Sequence, residues 1–183
     1  MDYASPTAFA AVAVIVAIAG AIDVRHFKVP NVLTGPLLIC GLAYHTISGG
    51  PAGLQSSLFG ALFGFGVLIG LYVLGAMGAG DVKLMTGVGA WLGASATVYV
   101  FAVAAAATGL YSLVVLIRHG RLGHAVATIQ VTLFQFKTLA KHLGANQRVE
   151  SVVKQEDRRQ RLIPFAAMIA LGVVVVLVWH QLG

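Results

Sequence analysis

Charge is what this sequence has least of: Asp, Glu, Lys and Arg together make up 10% of its 183 residues. A water-soluble domain carries about a quarter, so most of this chain's surface must face something other than water. Cysteine is nearly absent too. Cys40 stands alone, so no intramolecular disulfide can form and no CxxC pair exists to hold zinc. Inside its apolar run, Cys40 reads as a small buried hydrophobe. No basic region precedes the first apolar stretch, where Asp2 is the only charge, so that stretch reads as a retained span rather than a cleaved signal. The apolar runs also lack the alternation that a membrane barrel requires. What is present is 58% hydrophobic residues and a mean hydropathy of +0.89. Several runs approach the roughly 20 residues that cross a bilayer as helix, and helices satisfy their own backbone groups in lipid. The expectation is an all-α polytopic membrane protein, a single domain over residues 1–183.

Proline and glycine mark the helix ends. Ser5-Pro6 starts a first span over about 6–27, because proline suits the first helical position. Pro30 disfavours helix at Val29 and closes it. Asn31 can cap a second span over about 32–48, and Gly49-Gly50-Pro51 turns into a third over about 54–76. That third span holds Gly60-x-x-x-Gly64 and Gly66-x-x-x-Gly70, spacings that let helices approach closely. The stretch Leu84–Ile117 would make a helix of about 51 Å, against a hydrocarbon core of roughly 30 Å. It crosses either once, as a long tilted helix, or twice with a turn near Gly93-Ala94-Ser95. A last span covers about 162–182.

Positive charge decides between the two. Arg25 and Lys28 follow the first span, Lys83 follows the third, and the other nine of the twelve Lys and Arg residues lie between Arg118 and Arg161. Cytoplasmic loops collect Lys and Arg. All three segments share one side only if 84–117 crosses twice, over about 83–94 and 96–117. Six spans follow, with both termini external. The pI of about 9.8 then reports topology and attraction to anionic lipid headgroups, with no nucleic acid partner implied. Within the cytoplasmic segment 118–161, Val126, Ile129, Leu133, Phe136, Ala140 and Leu143 recur at steps of three and four. They predict an amphipathic helix lying on the inner leaflet or packed on the bundle, ended by Gly144.

The six acidic residues are the most informative. Asp2, Glu150, Glu156 and Asp157 read as solvated surface charge. Asp23 and Asp81 fall at the same cytoplasmic edge of the predicted bundle, and ionisable residues at membrane depth are costly and rare. Taken singly, Asp23 could pair with Arg25 or Lys28, and Asp81 could serve as an N-cap. Taken together they suggest a dyad. Two close carboxyl groups share one proton. The ionised member can take a proton from a water that attacks a peptide carbonyl, and the protonated member can donate to the carbonyl oxygen and then to the departing amine. Such chemistry needs neither a cofactor nor a metal. Around Asp81 the sequence is Gly78-Ala79-Gly80-Asp81-Val82-Lys83-Leu84. Its glycines permit backbone angles that other residues resist and leave room for a substrate strand. Lys83 can favour the ionised carboxylate or act as a snorkelling anchor.

That stretch resembles the GxGDxKL motif of the type IV prepilin peptidases, a family of membrane aspartic proteases. Upstream, Asp23-Val-Arg-His-Phe-Lys-Val-Pro30-Asn31-Val-Leu-Thr34 is similar to that family's first motif, an aspartate followed by a short basic loop and PNxLT. The resemblance covers about residues 8–117. It implies that Asp23 and Asp81 are the catalytic aspartates, with Gly78, Gly80 and Lys83 as supporting motif residues. It also implies a prepilin substrate with a short basic leader and a hydrophobic helix, cut at the cytoplasmic face of the inner membrane. The chain lacks the cysteine-bearing N-terminal region of the large methylating members and is similar to the short form serving Flp/Tad pili. The alternatives are another GxGD protease, such as a preflagellin peptidase, and a non-catalytic membrane subunit or transporter. His26, His45, His119, His124, His142 and His180 show no metal-ligand spacing. Ser56-Ser57 has no nearby basic partner, and Trp91 and Trp179 fit packing or interfacial roles.

Overall fold

The computed structural model describes residues 6–26, 29–73, 77–118 and 165–182. Every regular element among them is helical, as the apolar runs require in lipid. Helix α1 is Pro6–His26, with proline at its first position. The run Asn31–Val73 is broken at Gly50, whose φ is 58°, a left-handed angle that glycine alone adopts without penalty. The break divides it into α2 (31–49) and α3 (51–73), and Pro51 opens α3. The run Ala79–Arg118 is broken in the same way at Gly93, with φ 73°, into α4 (79–92) and α5 (94–118). Helix α6 is Phe165–Leu182. The amphipathic helix expected within 118–161 lies outside the described residues.

Three of the runs, Phe9–His26, Asn31–Val73 and Ala79–Val115, are long and apolar enough to cross a membrane, and Phe165–Trp179 is a shorter apolar helix. The outer surface agrees with that reading. Val32, Ile47, Val14, Ile117 and Leu110 are all well exposed, a cladding that would be an aggregation hazard in water and is what lipid prefers. Cys40 is exposed on this surface rather than buried as its apolar neighbours suggested. The run around it is apolar because it faces lipid.

Helix pairs are set by small residues. Gly41 leaves space for the Trp91 ring, since a Cβ there would lie 2.7 Å from Trp91 Cδ1. Gly60 of α3 meets Gly89 of α4 backbone to backbone, and a Cβ at Gly64 would lie 2.5 Å from the Met85 carbonyl. Of the two expected small-residue pairs, Gly60 and Gly64 are therefore packed, while Gly66 and Gly70 meet nothing among the described residues. The order of contacts makes α2 run parallel to α4 and α3 antiparallel to it. Gly20 brings α1 against α6 at Ala167, and Gly172 brings α6 against α5 at Val100. Phe9, Val12, Val16 and Ala19 line the buried face of α1, while Met85, Val88 and Leu92 line that of α4. The same steps of three and four, continued, reach Asp23 at one end and Asp81 at the other.

Candidate active site

Asp23 and Asp81 are both buried, at 6% and 8% exposure. They are also the only acidic residues among those described. Asp23 sits in the last turn of α1, where its Oδ2 accepts the backbone N–H of Ala166 at 3.3 Å. Ala166 is in the first turn of α6, where helix N–H groups have no intrahelical acceptor. The carboxylate is thus held at a helix start, where negative charge is favoured. Its partner here is backbone; of the two side chains that could have paired with it, Arg25 is exposed and Lys28 is outside the described residues.

Asp81 is the third residue of α4, not its N-cap. Its Oδ2 reaches back to accept the N–H of Gly78 at 3.3 Å, half of the reciprocal pairing that closes a helix start. Its Oδ1 is buried and has no hydrogen-bond partner among the described residues. Leaving such an atom unmatched costs about 1–3 kcal/mol, so a fold keeps it only where something else uses it. Asp23 lies near enough to act on Asp81 electrostatically.

The segment between α1 and α2 completes this end of the bundle. Gly80 packs on Val29, and a Cβ there would come within 3.0 Å of the Val29 Cβ. That contact fills the room expected for a substrate strand beside Gly80. Neither Gly78 nor Gly80 takes a positive φ; Gly50 and Gly93 do so. Gly80 is needed for closeness, whereas a Cβ at Gly78 would meet Asp81 Oδ2 at 3.5 Å and the Gly80 nitrogen at 3.9 Å, both ordinary contacts. Pro30, rather than Asn31, occupies the cap of α2: its carbonyl accepts from the N–H groups of Leu33 and Thr34 at 3.1 and 3.4 Å. The Asn31 side chain instead accepts Lys83 Nζ at 2.9 Å. Lys83 is exposed and directed to this amide. Among the described residues no three His, Cys, Asp or Glu side chains gather as metal ligands.

Both aspartates fall inside the stretch matched in a comparison with known families. The sequence model of the type IV leader peptidase family matches residues 10–113, more than half of the chain. The chain belongs to the type IV leader peptidase family. Its curated relatives include the prepilin leader peptidase/N-methyltransferase of Neisseria gonorrhoeae, 39% identical over 82 residues, which covers 41% of this chain and 28% of that protein. The protein of the same name from Aeromonas hydrophila is 40% identical over 79 residues, covering 39% and 27%. The chain thus spans little more than a quarter of these relatives' length. No solved structure matches it.

The sequence did not reveal Ala166 as a partner of Asp23. The bond is made by backbone, which every residue carries, so no side-chain type could signal it. The heptad continuity of Phe9, Val12, Val16, Ala19 and Asp23 was the available sign that this aspartate faces inward.

Proposed function

We propose that this protein is an aspartic endopeptidase of the inner membrane that removes the short leader from Flp-type prepilins, with Asp23 and Asp81 as its catalytic pair. The observation that carries the reading is the buried Oδ1 of Asp81, unmatched among the described residues, in a site whose second carboxylate is Asp23. Each carboxylate spends one oxygen on a backbone N–H, which fixes its orientation and leaves the other oxygen for chemistry. With one proton between them, the ionised member accepts a proton from a water as that water adds to the scissile carbonyl. The protonated member donates to the carbonyl oxygen, and the proton is returned to the amine as the bond breaks. No side chain becomes covalently attached.

The substrate implied is a hydrophobic helix behind a basic leader, which partitions into lipid and brings its cut site to the membrane boundary. Six crossings, with Arg25, Lys83 and the basic stretch on the cytoplasmic side and both termini external, put the pair at the cytoplasmic face. The glycine breaks at Gly50 and Gly93 support the two extra turns that this arrangement needs. Gly78, Gly80 and Lys83 act around the pair: the first two shape the entry to α4, and Lys83 ties it to Asn31. Anionic lipids would hold the basic stretch at the inner leaflet.

The deciding experiment is co-expression with a prepilin and detection of the shortened product. Asp23→Asn and Asp81→Asn should each leave the precursor intact. Wild-type processing by either variant would remove the proposal.

A further inference from the structure

We propose that His45 is a positioning residue for the carboxylate pair, acting on the far end of the helix that carries Asp81; this rests on the aspartate reading above. Helix α4 has Asp81 in its first turn and ends at Gly93. Trp91 lies ten residues beyond Asp81, roughly 15 Å along the axis. A break at Gly93 takes the usual i+4 donors of Ala90 and Trp91 out of line, so those carbonyls need partners from elsewhere. Both find them on the neighbouring hairpin. His45 Nε2 lies 2.7 Å from the Trp91 carbonyl oxygen, and Ser57 Oγ donates to the Ala90 carbonyl at 2.5 Å. A carbonyl only accepts, so the His45 Nε2 carries the proton in this bond.

The link is made in both directions. Trp91 Nε1 donates back to the Leu37 carbonyl at 2.7 Å, and Tyr44 stacks on the Trp91 ring with centroids 5.4 Å apart at 22°. Tyr44 also meets the His45 ring edge-on at 5.4 Å. Helices α2 and α4 are therefore joined by two bonds of opposite sense, His45 to Trp91 and Trp91 to Leu37. A slide of one residue, about 1.5 Å along the axis, breaks both. That offset reaches the site because α2 begins at Asn31, directly after the Val29 segment that packs on Gly80 beside Asp81. Catalytic groups misplaced by about 1 Å can cost on the order of a hundredfold in rate. A leucine at position 45 would leave the Trp91 carbonyl without this partner.

The test separates geometry from catalysis. In Cys40→Ser protein, cysteines replacing Asp23 and Asp81 are joined by a short bifunctional thiol reagent, and the yield is compared for His45, His45→Leu and His45→Gln. In parallel, the protein with both aspartates is assayed on a prepilin-type substrate. His45→Leu should lower both cross-link yield and kcat about fivefold, the worth of one buried hydrogen bond, with KM little changed. His45→Gln, which keeps a donor at similar reach, should recover most of both. An unchanged yield in His45→Leu overturns the proposal, as does failure of Gln to restore what Leu removes. A lowered yield with unchanged cleavage also overturns the proposal, because the bond would then hold the helices without affecting the reaction; the aspartate reading is decided separately by Asp23→Asn and Asp81→Asn. Should His45→Leu not accumulate, Ser57→Ala removes the neighbouring bond with little change of volume. It must lower the yield in the same direction, and an unaltered yield there also overturns the proposal.

Discussion

Lys83 Nζ donates to Asn31 Oδ1 at 2.9 Å across 52 positions of sequence, so the two motif-bearing elements of this chain, Pro30-Asn31-Val-Leu-Thr34 and Gly78-x-Gly80-Asp81-x-Lys83, are joined side chain to side chain. The bond puts the starts of α2 and α4 at one level. It also gives Lys83 a task other than neutralising Asp81, whose Oδ1, two residues away, has no partner among the described residues.

Because both side chains are exposed, the link should contribute modestly. Asn31→Ala and Lys83→Met should each lower stability in detergent by about 0.5–1 kcal/mol, and the double variant should cost less than the sum. Thermal unfolding of the four proteins measures this. Strict additivity would mean the bond contributes nothing in the membrane protein.

Replacing the aspartates should remove activity without removing the fold. In Asp23→Asn the amide oxygen still accepts from Ala166 N–H, and in Asp81→Asn it still accepts from Gly78 N–H. The structural role of each carboxylate is therefore kept while its proton chemistry is lost. Cleavage should fall by on the order of a hundredfold or more, with membrane insertion and melting temperature close to wild type. A variant that loses insertion and activity together would make the residue structural.

The two small-residue pairs of α3 should respond in opposite ways. Gly60→Ala drives a methyl into the Gly89 carbonyl and against Gly93, which should cost about 1–3 kcal/mol as overpacking does. Gly66→Ala meets nothing within 4 Å among the described residues and should be neutral, or stabilising by up to about 1 kcal/mol, because alanine is the better helix former. Comparing midpoints of thermal unfolding in detergent tests both. Equal losses would show that Gly66 is covered by a partner helix.

How far the sequence carried this picture differs by feature. Helix positions were legible because proline and glycine act locally: Pro6, Pro30, Pro51, Gly50 and Gly93 each mark an observed end or break. The sequence places the start of α4 about four residues late, since Gly78-Ala79-Gly80 looks like loop and only the structure has Asp81 closing the first turn. Cys40 is exposed although its sequence context suggests burial, because apolar context means core in water and lipid contact in a membrane. At the site, the two aspartates stood out by rarity. What holds them did not, because Ala166 and Gly78 contribute only backbone, and pairings such as His45 with Trp91 depend on helix offsets that no local pattern encodes.

The remaining prediction concerns which ends share a side. If α4 and α5 cross separately, the turn at Gly93 lies on the face opposite Asp81, and the turn at Gly50 lies with it. In Cys40→Ser protein, single cysteines at positions 49 and 95, both exposed, should then react with an impermeant thiol reagent added to intact cells. Cysteines at 25, 80 and 150 should react only after the membrane is opened. Retention of Lys and Arg on the cytoplasmic side demands this grouping, because Arg25, Lys83 and the basic stretch can be brought together in no arrangement where residues 79–118 cross once. Labelling of position 80 from outside would put the carboxylate pair on the wrong face for a leader that has not yet crossed, and protection of position 95 would make α4 and α5 a single bent span.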